Sequence, residues 1–317
     1  MTFQFVPASS FNERAGLFVS LTGGTNSGKT HSSLRLGRGI AGPTGKLAVL
    51  DTEGGRTLHL KKDFNFDVSL MDPPFRPERF AQAAKAAEDA GYHALVIDSF
   101  SMEWVGIGGV LDWQAQELQR MAGDDWKKQE RMKMASWIKP KSAHKAMVYS
   151  LLQRRIPIIF SIRGEETIKP GEAGEKPTKL FKSITNQQFP YEVTVSFRLA
   201  QDRKGIIDLS DAKTFKMEGP HREIFRDGDL IDESHGAALE EWARGAPITR
   251  RDATMQAGDD VVPLTDRARS AAMGGMSELL AFWERLSKAD KVLLKPDMDD
   301  LKRAAAQIDG VTEKDAA

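Results

Sequence analysis

The chain contains no cysteine, which excludes disulfides and thiolate metal sites and is compatible with a reducing cytoplasm. It has no excess of either charge. Lysine plus arginine and aspartate plus glutamate both number 45, so the whole molecule carries no sign of a nucleic-acid partner and any basic surface must be local. No apolar run approaches the roughly 18–20 residues that a membrane helix requires, and Met1-Thr-Phe-Gln-Phe-Val-Pro7 lacks the basic start and apolar core of a signal peptide. The chain is therefore expected in the cytoplasm, away from membranes. Its six histidines are scattered singly and suggest no metal cluster, and no internal repeat is visible. At 317 residues there is room for one large α/β domain and a smaller appendage.

What is present centres on one stretch. An apolar run, Leu17-Phe-Val-Ser-Leu-Thr22, stops at Gly23-Gly24-Thr25-Asn26-Ser27-Gly28-Lys29-Thr30-His31 and resumes as a helical pattern over 28–38. The spacing of Gly23, Gly28, Lys29 and Thr30 fits a phosphate-binding P-loop, in which backbone N–H groups wrap an anion at the positive end of a helix. Glycine permits the tight bend. Lys29 would reach the β- and γ-phosphates of ATP, and the Thr30 hydroxyl would hold Mg²⁺. Gly24, Thr25, Asn26, Ser27 and His31 complete the candidate cradle.

After this helix, Gly42-Pro43-Thr44-Gly45 reads as a turn and Lys46–Leu50 as a buried strand ending in Asp51-Thr52-Glu53-Gly54. A strand over 67–71, a helix from Pro77 to Ala90 and the run Ala94–Asp98 follow, so strands alternate with helices. That alternation predicts a doubly wound, mostly parallel sheet with ligands at the carboxyl ends of its strands. Residues 100–150 interrupt it with mostly helical sequence rich in Trp, Met and Lys, and the sheet resumes at Ile156–Arg163. Residues 164–188 read as a polar loop, Tyr191–Phe197 as a strand with one wet face, 205–209 and 213–217 as short strands, and 236–244 as a closing helix. The boundaries expected are an ATPase domain over 1–245, a linker over 246–263, and a helical tail over 264–317 formed as a hairpin of two helices. The apolar stripe of that tail either docks on its own core or contacts a neighbouring subunit or partner.

Two carboxylates belong with the cradle. Asp98 ends an apolar run of the kind that carries the second Mg²⁺-positioning group of P-loop enzymes, with Ser99 beside it. Glu53 would stand at the end of the strand over 46–50, where a carboxylate can orient and polarise an attacking water; taken alone it could be a solvated turn residue. A P-loop, a strand ending Asp51-Thr52-Glu53-Gly54 and a strand ending Asp98-Ser99 resemble the core of RecA-type recombinase ATPases. The chain is more closely similar to the phage-encoded, core-only RecA-like ATPases grouped with single-strand annealing proteins. The features are Ile97–Trp104 with Gly108-Gly109, Trp137-Ile-Lys-Pro-Lys141, Phe160-Ser-Ile-Arg163, Phe189-Pro-Tyr-Glu192 and Trp242-Ala-Arg-Gly245, over residues 15–245.

The resemblance implies a RecA-like fold with a small carboxy-terminal helical appendage and Mg²⁺-dependent ATP hydrolysis, with Glu53 and Lys29 catalytic and Thr30 and Asp98 on the metal. It further implies single-stranded DNA as partner in recombination, annealing or replication, a single-strand-binding protein as a further partner, a homo-oligomer, and the cytoplasm of a host cell. Two departures stand out. Where the family carries a polar sensor, this chain has Ser161-Ile162-Arg163, and Arg163 either senses the γ-phosphate, touches DNA or is a surface arginine. The amino-terminal polymerisation domain of RecA has no evident counterpart in residues 1–16.

Charge is segregated locally. Between Trp126 and Lys182 there are fourteen Lys/Arg against five Glu, near +9, leaving the rest of the chain near −9. Such a footprint suits a phosphate backbone, with Lys127, Lys128, Lys139, Lys141, Lys145, Lys169, Lys176, Lys179 and Lys182 as candidate DNA contacts and Trp126 and Trp137 as stacking platforms. The same residues would also be read as a solvated lysine face over core tryptophans. Other readings of the whole are a helicase or motor ATPase, a nucleotide-gated adaptor, and a small-molecule P-loop kinase.

Overall fold

The apolar runs are short and largely uninterrupted, the pattern of strands covered on both faces. The computed structural model describes residues 16–169, 178–210, 215–245, 264–286 and 294–314, together with 5, 7 and 291. Its strands are β1 (Phe18–Gly23), β2 (Leu47–Asp51), β3 (Asp67–Leu70), β4 (Ala94–Asp98), β5 (Ile158–Lys169), β6 (Thr178–Ser183), β7 (Val195–Leu199) and β8 (Ile207–Asp208). They form an eight-stranded sheet in the order β3-β2-β4-β5-β1-β7-β8, with β6 pairing β5 off this path. The strands from β3 to β7 along that path are parallel; β8 on β7 and β6 on β5 are antiparallel. The fold is thus an α/β, mostly parallel mixed sheet, as the alternation of elements predicts.

The helices of this unit are α1 (Lys29–Ala41), α2 (Pro77–Asp89), α3 (Ser101–Val105), α4 (Val110–Ala122), α5 (Trp126–Met132), α6 (Ile138–Leu152), α7 (Phe189–Glu192), α8 (Gly219–Ile224) and α9 (Glu233–Ala243). Successive strand residues point to opposite faces, so β1 feeds two cores. Val19 and Leu21 join Leu34, Leu36 and Ile40 of α1 and Leu239 of α9, whereas Phe18 joins Phe80 and Ala84 of α2 and Met147 and Leu151 of α6. Each fully buried side chain of this size contributes about 1.5–3 kcal/mol. Between α1 and α9 the backbones touch. A Cβ on Gly39 would lie 2.0 Å from the Glu233 carbonyl oxygen, and one on Gly236 would lie 2.3 Å from that of Leu36. The chain enters α9 through a capping box in which Asp232 accepts from the Ser234 and His235 amides.

Three expectations are corrected. Residues 164–188 are not a loop throughout, because β5 runs on to Lys169 and pairs with β6 from Gly164↔Ser183 onward. A two-stranded ribbon needs no apolar face, so its polar composition hid it. The strand expected over 191–197 begins instead as α7, where Pro190 stands in the first turn and Phe189 is buried, and extended chain starts only at Val195. The short strand expected over 205–209 shortens to β8, and the one expected over 213–217 begins in residues 211–214, which lie outside the described residues, as does the linker over 246–263.

The chain divides into two compact units, Met1–Thr249 and Arg250–Ala317. Among its described residues the second has α-helices over Leu264–Met273, Met276–Arg285 and Met298–Lys314, more than the hairpin of two expected. Ala268, Ala272, Leu279, Leu294, Leu301 and Ala305 form its own small core. The small alanine side chains of the first helix made it invisible to a search for large apolar residues. Among the described residues no helix is long and apolar enough to cross a membrane.

Candidate functional site

The cradle lies where β1 gives way to α1. Gly28 sits at φ 85 and Asn26 at φ 63, the left-handed turn that swings the chain from strand into helix. A Cβ on Gly23 would come within 2.2 Å of Ser27 Oγ, and one on Gly28 within 2.8 Å of the Gly205 nitrogen, so side chains at either position would fill the bend. Ser27 Oγ donates to the Gly24 carbonyl (2.9 Å), as does Lys29 Nζ (2.7 Å). The turn after β7 braces the loop from above, the Gly205 amide donating to the Ser27 carbonyl (2.9 Å). The first amides of α1 have no carbonyl within the helix to bond, and they face this bend. His31 is exposed and sets its ring edge-on to Phe64 at 5.1 Å, while Thr25 is exposed at the loop's tip.

Asp98 reaches the cradle from β4. Its Oδ2 accepts from the Thr30 hydroxyl at 2.6 Å, across 68 residues of sequence. Burial pushes its carboxyl above the usual range, with the Ser161 and Thr30 hydroxyls pulling it back. The Asp98–Ser99 peptide is cis. Ser99 is fully buried, its amide donating to Thr52 Oγ1 (2.9 Å), so it braces β4 against the chain after β2. Burial depresses the Lys29 ammonium, and Asp98 and then Glu53 work against that loss. The lysine and both acids therefore share one electrostatic neighbourhood.

Glu53 is presented by a turn that Asp51 builds. The fully buried Asp51 carboxylate accepts from the amides of Glu53 (2.7 Å), Gly55 (3.2 Å) and Thr57 (2.9 Å) and from the Thr57 hydroxyl (2.6 Å). The sequence reading passed over Asp51 as part of a strand end; an aspartate followed by Thr-Glu-Gly-Gly is the signal for such a turn. Glu53 itself is gripped by two guanidiniums. Arg163 Nη2 and Nε donate to Oε1 at 2.5 and 3.0 Å, and Arg56 Nη1 donates to Oε2 at 2.7 Å. Arg163 is held in turn by its own backbone, its amide donating to Ser101 Oγ (2.8 Å) and its carbonyl accepting from the Ile184 amide (2.7 Å). Arg163 is thus the partner of Glu53 rather than an isolated surface arginine.

The donor set suits a hard cation. A hydroxyl and a carboxylate oxygen already within hydrogen-bond distance match Mg²⁺, which takes one or two protein oxygens and completes its shell with phosphates and water. Among the described residues no group of three or more His, Asp or Glu is placed to hold a metal alone.

The basic segment is dispersed over several elements. Lys127 and Lys128 are exposed on α5, Lys141 and Lys145 on α6, and Lys182 on β6. Lys139 pairs with Glu117 at 3.3 Å, Arg154 with Glu88 at 2.9 Å and Arg163 with Glu53, so acids from outside the segment neutralise part of its charge. The side chains of Lys169, Lys176 and Lys179 lie outside the described residues. Trp126 is 70% exposed, whereas Trp137 is half-buried and stacked on Trp104 at 6.5 Å.

No family model matches the chain, and no curated protein matches it. Among solved structures it is similar to a KaiC-like protein of the hyperthermophilic archaeon Pyrococcus horikoshii, at 13% identity and a TM-score of 0.24, over 54% of this chain and 81% of that one. A likeness of that size decides nothing about substrate or partner, which are read from the residues of the site.

Proposed function

We propose that the protein is a RecA-like, Mg²⁺-dependent ATPase that acts on single-stranded DNA in recombination, annealing or replication. The supporting observation is the convergence of Lys29, Thr30, Asp98 and Glu53, from three separate stretches, on one glycine-built bend. In this reading the amides of the bend and Lys29 hold the triphosphate, and Thr30 and Asp98 hold Mg²⁺. The metal, when bound, neutralises charge on the β- and γ-phosphate oxygens. Glu53 orients a water and takes its proton as the water oxygen bonds to the γ-phosphorus and the bond to the bridging oxygen breaks, releasing ADP and phosphate. Both Glu53 oxygens are occupied by guanidiniums, so base function requires that one be given up. A γ-phosphate, more negative than a carboxylate, is the natural competitor for Arg163.

Glu53→Gln tests the assignment. It is expected to lower kcat by about 10²–10⁴-fold while leaving ATP affinity within a few-fold. Unchanged hydrolysis would refute Glu53 as the base. The DNA component is supported by the lysines on α5, α6 and β6, and by the exposed Trp126. Anisotropy of a labelled single strand across a salt series is expected to show affinity falling steeply as salt rises. An absence of binding at low salt would leave a nucleotide-gated adaptor or a kinase.

A further inference from the structure

Beside α6 the structure holds a cavity of about 840 Å³, within the range of ligand sites, that the nucleotide chemistry does not use. One wall is aromatic. Trp104 of α3 and Trp137 stack with their planes 26° apart, and Tyr149 of α6 is 67% exposed beside them. Another part of the lining is the chain after β6, where Thr185, Asn186, Gln187 and Gln188 bring a hydroxyl and three amides. Lys141, Lys145 and Lys182, all exposed, line it together with Glu165 and Glu192, so its basic side chains exceed its acidic ones by one.

One buried atom asks for a polar partner here. Thr185 is 4% exposed and lines the cavity, yet its Oγ1 has no hydrogen-bond partner. An unpaired buried polar atom is destabilising, and a ligand that supplies its partner relieves it. The pieces match one chemistry. Flat rings accept bases by stacking, amides and a hydroxyl satisfy base edges or sugar oxygens, and lysines neutralise phosphates. An apolar peptide would leave the Thr185 hydroxyl unpaired.

We infer that this groove seats unpaired bases of a DNA strand, stacked against Trp104, Trp137 and Tyr149, with Thr185 bonded to the strand and Lys141, Lys145 and Lys182 on its phosphates. The inference rests on the reading of the protein as one that acts on single-stranded DNA. It departs from the sequence expectation in its tryptophans, since Trp104 belongs to the groove and Trp126 is not among its lining residues. The aromatic wall and the chain after β6 are also the segments that clasp Arg163, through Ser101 and Ile184. A strand in the groove therefore bears on the arginine that holds Glu53.

The test is anisotropy of a short fluorescein-labelled oligothymidylate with the full chain at low salt, alongside thermal melting of each variant. Tyr149→Ala, at an exposed position, is expected to weaken binding about tenfold, the loss of one stacked base. Thr185→Val keeps the shape and removes the unpaired hydroxyl, so binding weakens several-fold while the melting temperature holds or rises. Wild-type binding that both variants retain in full would overturn the groove assignment and leave the DNA reading standing. No binding by the wild type at low salt would overturn both. Loss of self-association in the variants, with oligonucleotide binding intact, would assign the groove to a second copy of the chain and overturn the inference.

Discussion

Replacing Asp98 by asparagine should separate stability from activity in opposite directions. Asp98 is 6% exposed, hydrogen-bonded to the Thr30 hydroxyl, and burial pushes its carboxyl up, so the folded chain carries a poorly solvated charge. Asparagine keeps the shape and an acceptor for Thr30 but removes the charge, and Lys29 keeps Glu53 as a counter-ion. Relieving a desolvated group with few hydrogen bonds is worth about 1–3 kcal/mol. For a domain of roughly 150–250 residues, about 1 kcal/mol moves the midpoint by some 2–4 °C, so the melting temperature is expected to rise by several degrees. Under the proposed function hydrolysis is expected to fall by at least about 10²-fold, because Mg²⁺ would lose a buried carboxylate. Calorimetry with and without MgATP reads both effects. Saturating nucleotide at about a hundred times Kd stabilises the wild type by about 2.7 kcal/mol. In Asp98→Asn the gain should shrink and cease to depend on Mg²⁺. A variant that melts lower while keeping its Mg²⁺ dependence would mean that Asp98 is only a structural partner of Thr30, and the metal assignment would be wrong.

Two further outcomes follow from the packing. Burial raises the Glu103 carboxyl, so its proton is held more tightly in the folded state than in the unfolded one. The stability it contributes is full below the ordinary glutamate value of about 4.5 and is lost as pH rises through the raised folded value. Glu103→Gln, which keeps an acceptor for His144, is expected to flatten that limb in urea unfolding measured over a pH series; an unchanged slope would mean that Glu103 titrates normally. Gly39→Ala forces a Cβ to 2.0 Å from the Glu233 carbonyl oxygen. Overpacking of about 1–3 kcal/mol outweighs the roughly 1 kcal/mol gained in helix propensity, so the melting temperature should drop by a few degrees. A variant as stable as the wild type would show that the two helices are free to part.

What was legible in the sequence is what is local. The cradle could be read because one continuous segment, Gly23–Thr30, makes it, and Asp98 because an apolar run delivers it. The grip of Arg163 on Glu53 spans 110 residues and exists because β5 inserts between β4 and β1, a strand order that no spacing encodes. The groove was half visible. Its lysines and Trp137 stood out by composition, but Trp104, Tyr149 and Thr185 meet only through the packing of α3, α6 and the chain after β6. The β5–β6 ribbon is hidden because its polar residues have the composition of a loop, and the first tail helix because alanine gives a weak periodic signal.

If the protein turns over ATP as proposed, the backbone contact between Gly39 and Gly236 limits how that cycle can move it. With no side chains to act as a bearing, α1 neither slides nor rolls on α9 without separating the two backbones. The phosphate cradle is thereby a fixed datum on one flank of the sheet. In the proposed ATPase, motion is expected instead at Glu53 and Arg163, whose hydrogen-bonded ion pair lies outside both apolar cores and can trade partners without disturbing either.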